Sequence, residues 1–329
     1  MAKTGLFGAA GAIGQSVAAA LRERDEAYRV VGRSGPALAK AFGNDPLAEI
    51  VTWNPADPAS VRAAATGLDT IVYLVGVPYD RFAQHPVLMR ATLDGARAAG
   101  VERIVLIGTV YPYGRPRAAT VAENHSREPH TFKGKMRKAQ EDLVLEAHAA
   151  GRIRGTVLRL PDFYGDVEKS FLYTAFRAAL AGKAAQLVGP IDTPHQYVFT
   201  PDVGPVVRAL RDAPEGYGRT WHFAGSGTIT QREFVRRIFA AAGAPPKMQI
   251  FGKTVLRMLG LVNPLMRELV EMHYLQTTPV IMNDDALHAL VPGLRATPYD
   301  EAIRRTLAAM RGSLPDTAGL GHDLPVVEQ

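Results

Sequence analysis

Thr4-Gly5-Leu6-Phe7-Gly8-Ala9-Ala10-Gly11-Ala12-Ile13-Gly14 is the stretch whose reading decides the fold. A short apolar strand, Thr4 to Phe7, runs into a glycine turn. The turn opens a helix that begins Gln15-Ser16-Val17-Ala18-Ala19-Ala20-Leu21. Strand, tight turn and helix N-terminus together make a cradle for a pyrophosphate. Gly8 permits the turn, Gly11 lets backbone N–H groups approach phosphate oxygens, and Gly14 lets helix and strand pack closely. Gly8, Ala10, Gly11, Ala12, Ile13 and Gly14 are therefore candidate contacts to a bound dinucleotide. The spacing is GxxGxxG rather than GxGxxG, which points to one branch of dinucleotide-binding enzymes.

Working outward, strand and helix alternate with short connections through about residue 160. Strands are expected at Lys3–Phe7, Tyr28–Val31, Ile50–Trp53, Thr70–Val75, Arg103–Ile107 and Gly155–Leu160. Between them, apolar residues recur at helical spacing, as in Val87-Leu88, Ala91-Thr92 and Ala96. The pattern implies an α/β fold, a doubly wound parallel sheet of Rossmann type covered by helices on both faces. After Leu160 the regularity falls away. Residues 161–312 read as a smaller, mainly helical substrate-side region interleaved with the sheet's last strands, and 313–329 as a loose tail. Pro161–Asp166 reads as a loop, and Thr230 with Glu233 forms a capping box for a later helix. Val255–Tyr274 is amphipathic and is expected to pack on the core from the substrate side; a lid, a dimer face or a membrane-surface helix are the alternatives.

Composition narrows the chemistry. The chain of 329 residues has no cysteine, which excludes disulfides, thiolate nucleophiles and cysteine metal sites. The formal charge of +6 is spread without a run of like charges, so no nucleic-acid partner is expected. No stretch reaches the ~18 apolar residues of a membrane span, and a cytoplasmic protein with no membrane partner is expected. No histidine–carboxylate cluster argues for a metal.

The second strand ends Val30-Val31-Gly32-Arg33-Ser34. In this fold the residue after that strand meets the adenosine ribose. An acid there suits NAD, whereas Arg33 with Ser34 can hold a 2′-phosphate, so NADP is expected over NAD. Asn54 and Pro55, after the third strand, are placed to read the adenine edge. Val75 and Gly76, after the fourth, would let the backbone pass over the ribose and pyrophosphate.

The chain resembles the short-chain dehydrogenase/reductase superfamily in its extended or atypical, epimerase/dehydratase-like branch. Beyond the glycine run and Asn54–Asp57, the matching residues are Ile107-Gly108-Thr109-Val110-Tyr111-Pro112-Tyr113-Gly114, Arg159-Leu160-Pro161-Asp162-Phe163-Tyr164-Gly165 and Tyr197–Val203. The resemblance implies hydride chemistry at a carbonyl or alcohol carbon of a small-molecule substrate. It also implies cofactor contacts at Pro161 and Phe163, and a monomer or a homodimer joined through helices near Val87–Ala99 and Lys135–Ala149.

Relatives carry a Ser/Thr on strand five and Tyr-x-x-x-Lys on the next helix. Thr109 falls at the Ser/Thr position. Lys133 stands where the tyrosine is expected and Arg137 where the lysine is, one helical turn apart. Arg137 could keep a ribose contact but cannot supply a proton at neutral pH. Lys133 could act as acid or base only with a strongly lowered pKa; otherwise it is a fixed charge for an oxyanion or an anionic substrate. Tyr111, Tyr113 and Tyr164 are the candidates to replace the missing tyrosine. His125 and His130 read as loop histidines, and His195-Gln196 as a possible lining of the cleft. Two classes of function follow: an NADP-dependent oxidoreductase or epimerase/dehydratase-like enzyme, and a cofactor-binding redox sensor without turnover.

Overall fold

The computed structural model describes residues 3–165, 172–261 and 264–313. In chain order its first half runs β1 (Thr4–Phe7), α1 (Ala12–Arg22), β2 (Tyr28–Gly32), α2 (Gly35–Phe42), β3 (Ala48–Thr52) and α3 (Pro58–Ala65). There follow β4 (Thr70–Tyr73), α4 (Gln84–Ala98), β5 (Arg103–Thr109), α5 (Phe132–Ala149) and β6 (Arg154–Leu160). The second half opens with β7 (Asp162–Tyr164), α6 (Tyr173–Leu180), β8 (Ala185–Val188), β9 (Pro194–Phe199), α7 (Thr200–Asp212) and β10 (Thr220–His222). It closes with β11 (Thr228–Thr230), α8 (Gln231–Ala242), β12 (Met248–Phe251), α9 (Lys253–Leu259), α10 (Pro264–Met272), α11 (Tyr274–Thr277), α12 (Asp285–Leu290) and α13 (Tyr299–Ser313).

Seven strands make one parallel sheet in the order β10-β6-β5-β4-β1-β2-β3. The central strands β1 and β4 are buried along their whole length, as strands covered on both faces must be. Successive side chains go to opposite faces. Leu6, Val30, Val72 and Val105 pack with Val17 and Leu21 of α1 and Val207 and Leu210 of α7. Their neighbours Phe7, Val31, Ile71 and Leu106 pack with Val61, Met89 and Val144 from α3, α4 and α5. Strand order reverses between β1 and β4, so the crevice beyond their C-terminal ends is where this topology places a ligand.

The substrate-side half has its own aromatic core, in which Tyr164, Phe176, Phe199, Phe234 and Tyr299 meet. The short strands expected near Gln186–Val188, Tyr197–Phe199 and Thr220–Phe223 are present as β8, β9 and β10, while β7, β11 and β12 are strands that the sequence does not suggest. The stretch read as a loop from Pro161 begins with β7, which pairs with β9, and β11 completes a three-stranded sheet. β8 and β12 form a parallel pair. β7 and β11 are three residues long and β8 and β12 four, too short to show an alternation. Asp166, the last residue of the expected loop, lies outside the described residues, as does the tail beyond Ser313, itself the last residue of α13. Among the described residues no helix is long and apolar enough to cross a membrane.

Candidate active site

The three glycines of the first turn have different reasons for being there. Gly8 has a φ of 89°, and a Cβ on it would lie 2.8 Å from the Leu74–Val75 backbone. A Cβ on Gly14 would lie 2.2 Å from the Ala9 carbonyl oxygen. Packing alone therefore requires both. Gly11 is different: a Cβ there would meet nothing nearer than the Gly8 oxygen at 3.9 Å. It is the N-cap of α1, extended, with no side-chain cap and no acidic residue in the first turn. The first-turn amides thus face open space with the positive end of the helix dipole behind them, which suits an anion. Exposed Ala10 and half-buried Ala12 and Ile13 form the lip of this cradle. These residues fit a dinucleotide pyrophosphate.

Arg33, just beyond β2, is exposed and has no hydrogen-bond or ion-pair partner among the described residues. Ser34 Oγ accepts from Ala37 N at 3.2 Å and caps α2, leaving its own proton to donate. Asn54 Oδ1 accepts from Ala56 N at 3.1 Å, so the carboxamide N–H₂ remains the outward-facing group. Pro55 beside it is half-buried. At the end of β4, Val75 is half-buried, and a Cβ on exposed Gly76 would meet nothing within 4 Å.

Thr131 caps α5 by accepting from Gly134 N at 3.1 Å, which places Lys133 in the first turn. Lys133 is 1 % exposed. Its Nζ donates to Glu268 and, at 2.6 Å, to Glu271, while its backbone N–H donates to Glu271 Oε1 at 3.2 Å. The two carboxylates, three residues apart, share one face of α10. The ammonium also sits 5.7 Å from the Tyr79 ring centroid and 5.8 Å from that of Phe82. Burial pulls the Lys133 pKa down, but the Glu268 and Glu271 bonds outweigh it and hold it above its ordinary value. Lys133 is a fixed cation, not a titrating acid.

Arg137, one turn along, is buried and donates to the Ile107 carbonyl at 2.9 Å and to His85 Nδ1 at 3.3 Å. Burial, and then the Arg137 charge, lower His85 to about 3, so its ring is neutral and can accept. Thr109 ends β5, half-buried, and its hydroxyl has no partner among the described residues.

With this geometry in hand, a family model described as the NAD dependent epimerase/dehydratase family matches residues 6–221. The chain belongs to that family. A dTDP-6-deoxy-L-talose 4-dehydrogenase (NAD(P)(+)) of Kitasatospora kifunensis is 26% identical over 265 residues, covering 75% of this chain and 81% of the relative. An epimerase from Methanothermobacter thermautotrophicus has the same fold, with a TM-score of 0.80 at 14% identity over 95% of this chain and 93% of the other. A UDP-glucuronic acid 4-epimerase from Bacillus cereus, solved in complex with NAD, superposes with a TM-score of 0.76 at 12% identity, covering 94% and 99%. These matches agree with the extended branch of the short-chain dehydrogenase/reductases and with a nicotinamide dinucleotide as cofactor.

Within this epimerase/dehydratase-family fold the candidate tyrosines separate. The Tyr111 hydroxyl lies 3.2 Å from that of Tyr79, on the Lys133 side, and burial pushes its pKa well above 10. Tyr113 is fully buried elsewhere. Its hydroxyl is 2.6 Å from His222 Nε2 and accepts from Arg159, which is paired with Glu141 at 2.6 Å. That network joins the turn after β5 to α5, β6 and β10. Tyr164 is packed within the aromatic core of the second half. Gln196 is a strap, bonded twice to the Met282 backbone, and His195 is buried against Tyr197. His125 bonds within its own loop, and His130 meets the Tyr274 ring edge-on.

Sequence reasoning missed Tyr79, His85, Asp162, Glu268 and Glu271. The glutamates left one signal, an acidic pair at i and i+3 inside the amphipathic segment. Asp162, between buried Pro161 and half-buried Phe163, keeps an accessible side chain, and the protein around it desolvates the carboxyl enough to raise its pKa.

Proposed function

We propose that the protein is an NADP(H)-dependent oxidoreductase that acts at the carbonyl or secondary-alcohol carbon of a small polar substrate. The observation that carries this reading is the unengaged Thr109 hydroxyl, standing at the strand end from which Tyr111 also enters the cleft. A nicotinamide, when bound, supplies or accepts the hydride. The Gly11 cradle would hold its pyrophosphate and Arg33 with Ser34 the 2′-phosphate. Arg137 has five donors and two observed acceptors, which leaves N–H groups for ribose hydroxyls. Thr109 donates to the substrate oxygen and orients it.

Lys133 does not take over the tyrosine's role as proton donor, because its charge is held in place. Its ammonium already answers two carboxylates, which favours an uncharged reacting end on the substrate over an anionic one. A sugar nucleotide, as in the name of the Kitasatospora relative, would carry its charge on the diphosphate, away from the reacting carbon.

One observation favours a second reading, a cofactor-binding sensor without turnover: the Lys133 side chain is spent on α10. Titration with NADPH and NADH by nicotinamide fluorescence, followed by turnover assays, separates the two. The assays use dTDP-6-deoxy-L-talose with NADP⁺ or NAD⁺, and a panel of ketones and aldehydes with the reduced forms. Tight NADPH binding with turnover supports the enzyme. Binding with no turnover across the panel transfers the reading to the sensor, and no binding overturns both.

A further inference from the structure

Reduction of a carbonyl needs a proton at oxygen as well as a hydride at carbon, and the Lys-x-x-x-Arg pair cannot give one at neutral pH. Register shows which residues share the C-terminal edge of the sheet. Thr109 of β5 lies opposite Leu160 of β6. Two residues further on, Tyr111 and Asp162 leave the C-terminal ends of these adjacent parallel strands, where an open α/β sheet forms its binding crevice. Asp162 then pairs in register with Tyr197 of β9. Its side chain is accessible, and its carboxyl has no hydrogen-bond or ion-pair partner among the described residues, so it is free to meet a ligand in that crevice. Ionisable groups with raised or lowered pKa values concentrate at such sites.

We infer that Asp162 is the catalytic proton donor and acceptor of this enzyme, in place of the missing tyrosine. This rests on the oxidoreductase reading above. In the reducing direction a hydride, drawn with its electron pair from a reduced nicotinamide, adds to the carbonyl carbon. The C=O π pair moves to oxygen, and the Asp162 O–H bond breaks to give that oxygen its proton. An alcohol, an oxidised nicotinamide and the Asp162 carboxylate result, and water reprotonates the carboxylate. Oxidation runs the same steps backwards, with the carboxylate as base.

The groups facing Asp162 suit this. Tyr79 follows β4, Tyr111 follows β5 and Tyr197 lies on β9; all three are neutral phenols whose pKa values are raised by burial first and by the nearby Asp162 charge among the further causes. Lys133 lies beyond Tyr79, and Glu268 and Glu271 answer its charge. Desolvation raises the Asp162 pKa above the ordinary carboxylate value, the direction that favours a proton donor.

The test uses the full chain with carboxyl-¹³C aspartate, the Asp162 resonance being assigned by its loss in Asp162→Asn. The expected result is a titration midpoint above the ordinary aspartate value of about 3.9, moved further when NADP⁺ is added. A midpoint at the ordinary value, unmoved by NADP⁺, overturns the inference without any turnover measurement. In the carbonyl panel, Asp162→Asn is expected to keep NADPH affinity within about twofold while kcat falls roughly a hundredfold or more. The alkaline limb of the wild-type profile should vanish with it. Unchanged kcat in Asp162→Asn overturns this role alone; a wild type that binds NADPH and turns over nothing overturns the oxidoreductase reading and the role with it. Circular dichroism of the variant separates loss of the acid from loss of the fold.

Discussion

Lys133→Met tests whether the α10 clamp is structural. Two charge-assisted bonds end on Nζ, and hydrogen bonds to charged groups contribute roughly 1.5–3 kcal/mol each. Their loss alone would cost about 3–6 kcal/mol on that scale. The carboxylates are not fully enclosed, however: their side chains are 23 % and 26 % exposed against 1 % for the lysine. They regain part of their hydration when the ammonium goes, which brings the expected loss to about 2–3 kcal/mol. Urea denaturation, read as a shift of midpoint at constant slope, measures it. Hydrogen exchange should show the amides of α10 opening first. Lys133→Met combined with Glu268→Gln and Glu271→Gln removes all three charges and should recover to within about 1 kcal/mol of wild type. A single variant as stable as wild type, or a triple variant no better than the single one, would refute the account of a charge held by its clamp.

Three further outcomes are expected. Arg33→Ala should weaken NADPH binding by roughly 10- to 100-fold, the loss of one charged phosphate contact, and leave NADH nearly unchanged; equal weakening of both would place Arg33 elsewhere. Gly11→Val should fold normally and lose dinucleotide affinity, because its side chain enters open space, whereas Gly14→Ala should lower stability by about 1–3 kcal/mol through overpacking; thermal melts beside NADPH titrations distinguish the two. Acid should destabilise the fold between pH 6.5 and about 4. Burial lowers His195 and His222 to about 4, so in that window the unfolded chain binds protons that the folded one refuses, and stability falls as pH falls. His222→Gln should flatten the urea-midpoint profile across this range, and an unaltered slope would count against a neutral buried His222.

The parts of this molecule written in contiguous residues were legible in the sequence. The glycine turn, the alternating strands and the Arg33 position each depend on local spacing, and β1 to β6 differ from expectation only at their ends, as at Ala48–Thr52 against Ile50–Trp53. The Lys133 and Arg137 substitutions were equally visible. What answers them was not. Glu268 is 135 residues from Lys133 in the chain, and nothing local says that α10 folds across the first turn of α5. The Lys133 ammonium, buried in the first turn of α5, does require an anion, and the chain supplies two of its own. Tyr113 and Tyr111 look alike in sequence, two residues apart. Only the short helical turn after β5 sends one into a buried network with Arg159 and the other toward Lys133.

The seventh strand has a consequence for how this chain can be divided. β10 lies beyond residue 219 yet forms the outer edge of the main sheet beside β6, and α7 lies against α1, with Ser16 Oγ donating to the Pro201 carbonyl and accepting from Gly204 N. A fragment stopped at residue 160 would contain every cofactor residue of the cradle and still be a poor protein. It would leave the backbone of β6 as a raw edge and uncover the apolar side of α1, an invitation to aggregate or to borrow the missing strand from another copy. The cofactor half is not a detachable module, and the shortest piece that keeps its sheet closed must run past His222.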